Sequence, residues 1–172
     1  DLGYGDLSCY GQTHFQTPNI DALTKQGMKF TQHYSGSTVC APSRCALLTG
    51  KHIGHAVVRG NSEFMPEGQQ PMPADTVTMA HVLQNAGYTT GLFGKWHLGD
   101  RSPSLPNDMG FDSYFGALYS NDMEPFALYN NRDIAVEAPV DQHYLTEQYT
   151  KAATTFIEQH AQQPFFLYFA HN

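Results

Sequence analysis

The strongest constraint on the fold is an alternation. Residues 143–161 carry the longest helical pattern in the chain, with Leu145, Tyr149, Ala152, Phe156 and Ile157 on one side. Pro164 ends that pattern, and the apolar run Phe165-Phe166-Leu167-Tyr168-Phe169-Ala170 follows at the length of a buried strand. The same order occurs earlier. Asp75 is placed to cap a helix over 76–86, with Val77, Ala80, Val82 and Leu83 as a partial apolar face and Gly87 as its stop. "YTTGLF" (88–93) then reads as a strand. Nearer the start, Thr17 and Pro18 open a helix that runs through Lys25 and stops at Gly27, and residues 28–34 alternate in polarity as a short strand. A further helix is expected over Pro42–Leu48. Helix then strand, repeated, predicts an α/β fold: a mostly parallel sheet flanked by helices. Residues 99–142, rich in Pro, Asn, Asp and Gly, are expected to be loop with short regular pieces.

In such sheets ligands sit beyond the carboxyl ends of the strands. That directs attention to "GKWHLGD" after 88–93, to "HN" after 165–170, and to "DLGYGD", which would follow a strand preceding Asp1. The chain begins without Met and stops just after an apolar run, so it reads as a fragment of a longer protein. With 172 residues it is long enough for one domain and a sizeable core.

A net charge of -7 excludes nucleic acid as an expected partner, and no apolar run approaches a membrane span. Local charge differs from the total. Five of the nine basic residues, Arg44, Lys51, Arg59, Lys95 and Arg101, fall between 44 and 101, which leaves room for a small anionic substrate. Cys9, Cys40 and Cys45 make no disulfide framework and no zinc spacing.

"CAPSRCALLTG" (40–50) is the stretch with most chemistry. Cys9 and Cys45 read as small buried hydrophobes. Cys40 differs because Pro42 can begin a helix without losing a donor, the free N–H groups of that helix start attract anions, and Arg44 supplies a forked cation. From residue chemistry alone, the expectation is a low-pKa thiolate held over a tetrahedral oxyanion.

C-x-P-S-R followed by x-x-L-L-T-G is the signature of the type I sulfatases, and Cys40–Gly50 is identified as a member of that pattern. "DLGYGDLSCYG" resembles the family's amino-terminal metal loop, "GYTTGLFGKWHLG" its Gly-Lys-Trp-His-Leu-Gly motif, and "GFDSYFGALYSNDM" and "PFFLYFAHN" later landmarks of the arylsulfatase branch. The resemblance covers nearly the whole chain. It implies the alkaline phosphatase-like α/β fold, with residues 1–172 part of a single catalytic domain whose first strand and carboxyl-terminal part lie outside this chain. It implies hydrolysis of sulfate monoesters, with a small aryl or carbohydrate sulfate as substrate.

By the same resemblance a maturation enzyme oxidises Cys40 to formylglycine. The hydrated aldehyde attacks sulfur with one hydroxyl and expels sulfate by deprotonation of the other. Arg44 would hold that side chain and offset nearby negative charge. Lys95 would contact the sulfate, and His97 would be the base for adduct breakdown. Ser120 would sit near the sulfate, although "YSND" is also a good turn. Asp1, together with the modified Cys40, would approach a divalent cation, expected to be calcium. Asp6 and Trp96 are expected to be structural, and His171 to lie behind the reacting groups. His52 and His55 read as pocket-lining or surface. Two other readings stay open. One is a phosphonate monoester or phosphodiester hydrolase of the same superfamily, against which "GKWHLG" and "LYSNDM" weigh. The other is a non-catalytic binding protein on the same scaffold, against which the intact motif residues weigh. The resemblance implies a periplasmic or secreted protein, or a lysosomal one if the source is eukaryotic.

Overall fold

The computed structural model describes residues 2–64 and 68–172. The chain divides into two compact units, Asp1–Ser35 and Gly36–Asn172.

The first unit holds two short 3-10 turns, Tyr4–Asp6 and Ser8–Tyr10, and helix α1, Pro18–Gln26. Pro18 sits at the helix start as expected, where its missing N–H is not needed. A knot of short side chains fixes that start. Ser8 Oγ lies 2.7 Å from Thr17 Oγ1 and donates to Asp21 Oδ2 at 2.7 Å, and Thr17 Oγ1 donates to Asp21 Oδ1 at 3.0 Å. The Asp6 carboxylate accepts the Gly3 N–H, a structural use as expected. The strand expected over 28–34 does not form. Alternating polarity makes a strand only where another strand can take up its backbone N–H and C=O groups, and no such partner lies in this unit among the described residues. Met28, Phe30 and Tyr34 are exposed there.

The second unit is built on a five-stranded sheet of order β4-β3-β2-β1-β5. Its strands are β1 Thr89–Gly94, β2 Ser113–Gly116, β3 Leu128–Asn130, β4 Asp133–Val136 and β5 Phe165–Ala170. Central β1 runs parallel to both β2 and β5, with Gly91 opposite Ser113 and Gly94 opposite Ala170. β3 and β4 extend the β2 edge antiparallel. The sheet is therefore mixed: a parallel core of three strands, as the alternation predicts, carrying a hairpin that it does not predict.

Helix α4, Leu145–His160, packs against one face through Ala153 and Phe156, which meet Phe93, Phe115, Phe165 and Leu167. Neighbouring strand residues point the other way. Leu92, Tyr114, Phe166 and Tyr168 join Cys45 and Leu48 of helix α2, Cys40–Thr49, and Ala80 of helix α3, Met79–Asn85. Helices thus flank both faces. On α4, Leu145, Tyr149, Ala153 and Phe156 are buried, while Ile157 is exposed, so the buried stripe is narrower than the apolar one.

Two helix starts differ from expectation. α3 begins at Met79 rather than 76. Buried Thr78 is its cap, accepting from His81 N at 3.3 Å and donating to Met109 O at 2.6 Å, whereas Thr76 is turned back onto Pro73. Thr78 wins because its hydroxyl serves the helix and the core at once; Val77 and Val82 are left exposed. α2 begins at Cys40, two residues before Pro42. The first helical N–H groups have no intrahelical partner, so proline is as harmless at the third position as at the first, and the first full-turn bond is Ser43 N to Val39 O.

Candidate active site

The pocket lies in the second unit, where the carboxyl ends of β1 and β2 meet the start of α2. Backbone geometry brings β1 there. Gly94 has φ +121°, and a Cβ on it would lie 1.9 Å from Ala170 O. A Cβ on Gly116 would lie 1.8 Å from Gly94 O. Glycine at both positions lets three backbones converge. The chain leaving β1 stays tied to both neighbours: Lys95 N donates to Ala170 O at 2.7 Å, Trp96 N to Ala117 O at 2.9 Å and His97 N to Leu118 O at 3.0 Å. Trp96 is wholly buried, with Nε1 donating to Ser104 O, and is packing as expected.

Lys95 and His97 emerge from this frame almost fully buried, at 5% and 3% exposure. Lys95 Nζ donates to Ser120 Oγ at 3.0 Å and interacts with the Cys40 sulfur. Burial and the nearby Arg44 pull the Lys95 ammonium below its ordinary range, against the opposing pull of Cys40 and Asp122. Burial, reinforced by Lys95 and Arg44, lowers His97 to about 4, so the imidazole is neutral at physiological pH. His97 has φ 63°, an uncommon conformation for this residue, and its buried Nδ1 has no hydrogen-bond partner among the described residues.

Cys40 stands at the first position of α2, half exposed. Its sulfur is 3.2 Å from Asn61 Nδ2, and Asn61 Oδ1 accepts Ala41 N–H at 3.1 Å. Burial pushes the thiol up, but the Asn61 amide and the Lys95 ammonium outweigh it, and the thiol lies below its ordinary range. Cys40, Asn61, Ser62, Glu63, Gly68, Gln69, His97, Ser120, Asp122 and Met123 line a cavity of about 260 Å³. The hydrogen bond with Ser120 is the main cause that holds Asp122 below the usual carboxylate range.

Of the expected site residues, Cys40, His97 and Ser120 line this cavity, and Lys95 joins them through its contacts with Ser120 and Cys40. Arg44 supports it from behind: Nη1 donates to Lys95 O at 2.6 Å and Nη2 to His171 O at 3.0 Å, tying the ends of β1 and β5 together. Its share of the pocket is its charge, felt by Lys95 and His97. His171 gives its carbonyl to Arg44, and its ring lies tilted at 56° to that of Phe169 with centroids 4.2 Å apart. His52 and His55 are exposed and do not line the cavity. Cys45 is a free, buried thiol in the core, whereas Cys9 is a free, half-buried one, less buried than expected. Asp1, expected on the metal, lies outside the described residues. No three His, Cys, Asp or Glu side chains among the described residues group closely enough to hold a metal ion, so these residues do not by themselves fit one. The sequence reading missed Asn61 and Asp122. Asp122 sits in the same "YSNDM" turn as Ser120 and was within reach of it; Asn61, in a loop 21 residues after Cys40, carried no local signal.

Fold and site together define an α/β protein that gathers desolvated positive charge, a thiol and a hydroxyl at the strand ends, an arrangement suited to a small tetrahedral anion. Comparison with known proteins names the family. The sulfatase profile matches residues 1–172, and the chain belongs to the sulfatase family. Human arylsulfatase G is 34% identical over 99% of this chain and 38% of its own length. Rat N-acetylgalactosamine-6-sulfatase is 36% identical over 99% of this chain and 37% of its own. Human arylsulfatase A is 43% identical over 73% of this chain and 25% of its own. The chain thus spans well under half the length of these relatives. Among solved structures, one from work on the metabolism of multiple glycosaminoglycans by Bacteroides thetaiotaomicron superposes with TM-score 0.86 at 28% identity, covering 98% of this chain and 48% of that one. Ps i-CgsB in complex with k-i-k-neocarrahexaose gives 0.83 at 30% identity, covering 100% and 43%. The expected alkaline phosphatase-like sulfatase fold is borne out.

Proposed function

We propose that the protein hydrolyses sulfate monoesters with a formylglycine derived from Cys40 as the source of its nucleophile. The observation that carries this reading is that Cys40, His97 and Ser120 line one small cavity while Lys95 reaches both Ser120 and Cys40, within a chain of the sulfatase family. The modified side chain supplies a geminal diol, one hydroxyl for attack on sulfur and one whose deprotonation releases sulfate. Lys95, already bonded to Ser120 and facing residue 40, holds a sulfate oxygen and offsets the charge that builds there. Neutral His97 accepts the diol proton; its low pKa keeps it free to do so at physiological pH. Arg44 fixes the main chain that carries Lys95 and adds positive potential. A divalent cation, expected to be calcium, belongs to this reading; Asp1 and residue 40 would be among the groups that hold it, and it would supply positive charge.

The substrate is a small aryl or carbohydrate sulfate, and the Cys40 segment is read by a maturation enzyme before use. The working compartment is the periplasm, the exterior or the lysosome. No helix among the described residues is long and apolar enough to cross a membrane.

The full-length protein from its native host tests this. Mass spectrometry of the Cys40 peptide should show the aldehyde, and the same preparation should release sulfate from 4-nitrophenyl sulfate. An unmodified thiol, in a host that matures other such proteins, would overturn the reading. An aldehyde without sulfate release but with phosphonate ester hydrolysis would replace the substrate and keep the nucleophile.

A further inference from the structure

We propose that Asn61 is a positioning residue for side chain 40: its amide holds the helix start with one end and orients the nucleophile-bearing group with the other. This role rests on the sulfatase reading above.

The orientation of the amide follows from hydrogen-bond chemistry. Ala41 N–H can only donate, so the Asn61 atom that meets it at 3.1 Å must be the carbonyl oxygen Oδ1. The Nδ2 donor is thereby turned onto residue 40, 3.2 Å from Sγ, while Oδ1 also accepts a longer bond of 3.5 Å from the thiol. α2 needs such a partner. Its cap position is Val39, which has no side-chain oxygen to satisfy the first N–H groups. Asn61 fills the vacant capping role from a loop and touches the reacting side chain with the same group.

The loop is built to hold that pose. Gln70 N donates to Ser62 O at 2.9 Å, Gln70 Nε2 to Val57 O at 3.1 Å, and Arg59 Nε to Ala56 O at 2.9 Å. Ala56 and Val58 are anchored in the core at 1% and 0% exposure. The other groups around residue 40 divide the work differently. Lys95 is bonded to Ser120 and brings its charge to residue 40, and Arg44 is turned onto main-chain carbonyls. Asn61 is the neutral donor that meets side chain 40 directly. With an oxygen in place of Sγ, its N–H selects which hydroxyl is held against α2 and which is left facing the cavity. Holding the group in one pose raises kcat rather than affinity for substrate.

Two variants of the full-length, formylglycine-bearing protein separate this role from simple capping. Asn61→Asp keeps an oxygen for Ala41 N–H and loses the donor to residue 40; Asn61→Ala loses both. Kinetics with 4-nitrophenyl sulfate are expressed per folded molecule carrying the aldehyde, counted by mass spectrometry. Asn61→Asp is expected to keep its melting temperature within a few degrees and to lose about tenfold to a hundredfold in kcat, with KM changed less than about threefold. Asn61→Ala is expected to lose as much kcat and some stability. The role is overturned if Asn61→Asp keeps wild-type kcat, or if both variants lose activity only in proportion to their folded fraction. A wild-type protein that carries the aldehyde yet releases no sulfate would overturn the sulfatase reading and this role with it; an active wild type beside an unimpaired Asn61→Asp overturns this role alone.

Discussion

The two walls of the cavity are held in opposite ways. Lys95 and His97 stand on backbone: their N–H groups are bonded to β5 and to the segment after β2, and glycines at 94 and 116 permit an approach that any side chain would block. Cys40 stands on side-chain chemistry, at a half-exposed helix start steadied by one amide from a loop. The first wall is dry and rigid, and its basic groups are displaced downward in pKa by burial. The second is open. The difference fits the chemistry proposed for each: cations do more for a developing negative charge when water is excluded, whereas a residue that is modified and then turned over needs room.

If that contrast is right, damage to the backbone-held wall should cost folding first. Gly116→Ala places a Cβ 1.8 Å from Gly94 O, and the main chain must shift to admit it. A loss of more than about 4 kcal/mol is expected, read as a fall in denaturant midpoint or as absence of folded full-length protein. Near-normal stability would show that the strand ends are less closely locked than described.

Lys95→Met keeps the length of the stem and removes the charge. The expected loss is about 10²–10³ in kcat/KM, or about 3–4 kcal/mol of transition-state stabilisation, with little change in folding. A variant that unfolds instead would show that the Ser120 bond holds the wall together rather than serving the anion.

The dry wall also has a pH signature. His97 titrates at about 4 folded and near 6.5 unfolded. Between those values the unfolded chain binds the extra proton, so stability is complete above about pH 6.5 and is lost as pH falls toward 4. The loss should be roughly 2–3 kcal/mol by urea unfolding, and His97→Gln should remove most of that slope. An unchanged slope would mean that His97 is better solvated than its burial indicates.

The smallest effect is expected at the exposed Arg132–Asp108 pair, 2.6 Å apart and remote from both walls. Arg132→Ala should change stability by less than about 1 kcal/mol and leave kcat alone; a large change in turnover would mean that the hairpin communicates with the pocket.

Much of this molecule was legible beforehand. α1, α4, β1 and β5 are long, periodic and bounded by Pro or Gly, so local pattern and tertiary demand agree. β2, β3 and β4 were missed because strands of three or four residues are too short to show a period. The β3–β4 turn rests on Asn131, whose side chain accepts Tyr114 N–H at 2.9 Å and whose φ is 55°. Asparagine takes that left-handed conformation readily, and the bond from the neighbouring strand fixes it there. The strand read over 28–34 failed for the converse reason, a local pattern with no sheet to join.

The sequence by itself determined the parallel core, because helix and strand periods are properties of neighbours along the chain, and its motifs pointed to Cys40, Lys95, His97 and Ser120 as candidates through their resemblance to the sulfatases. Only the tertiary structure decided how those residues are held. It turned Arg44 onto two backbone carbonyls, dried out His97, and brought Asn61 across 21 positions onto Cys40. Burial and hydrogen-bond pairing are set by what folds against a residue, and nothing in its own stretch of chain records that.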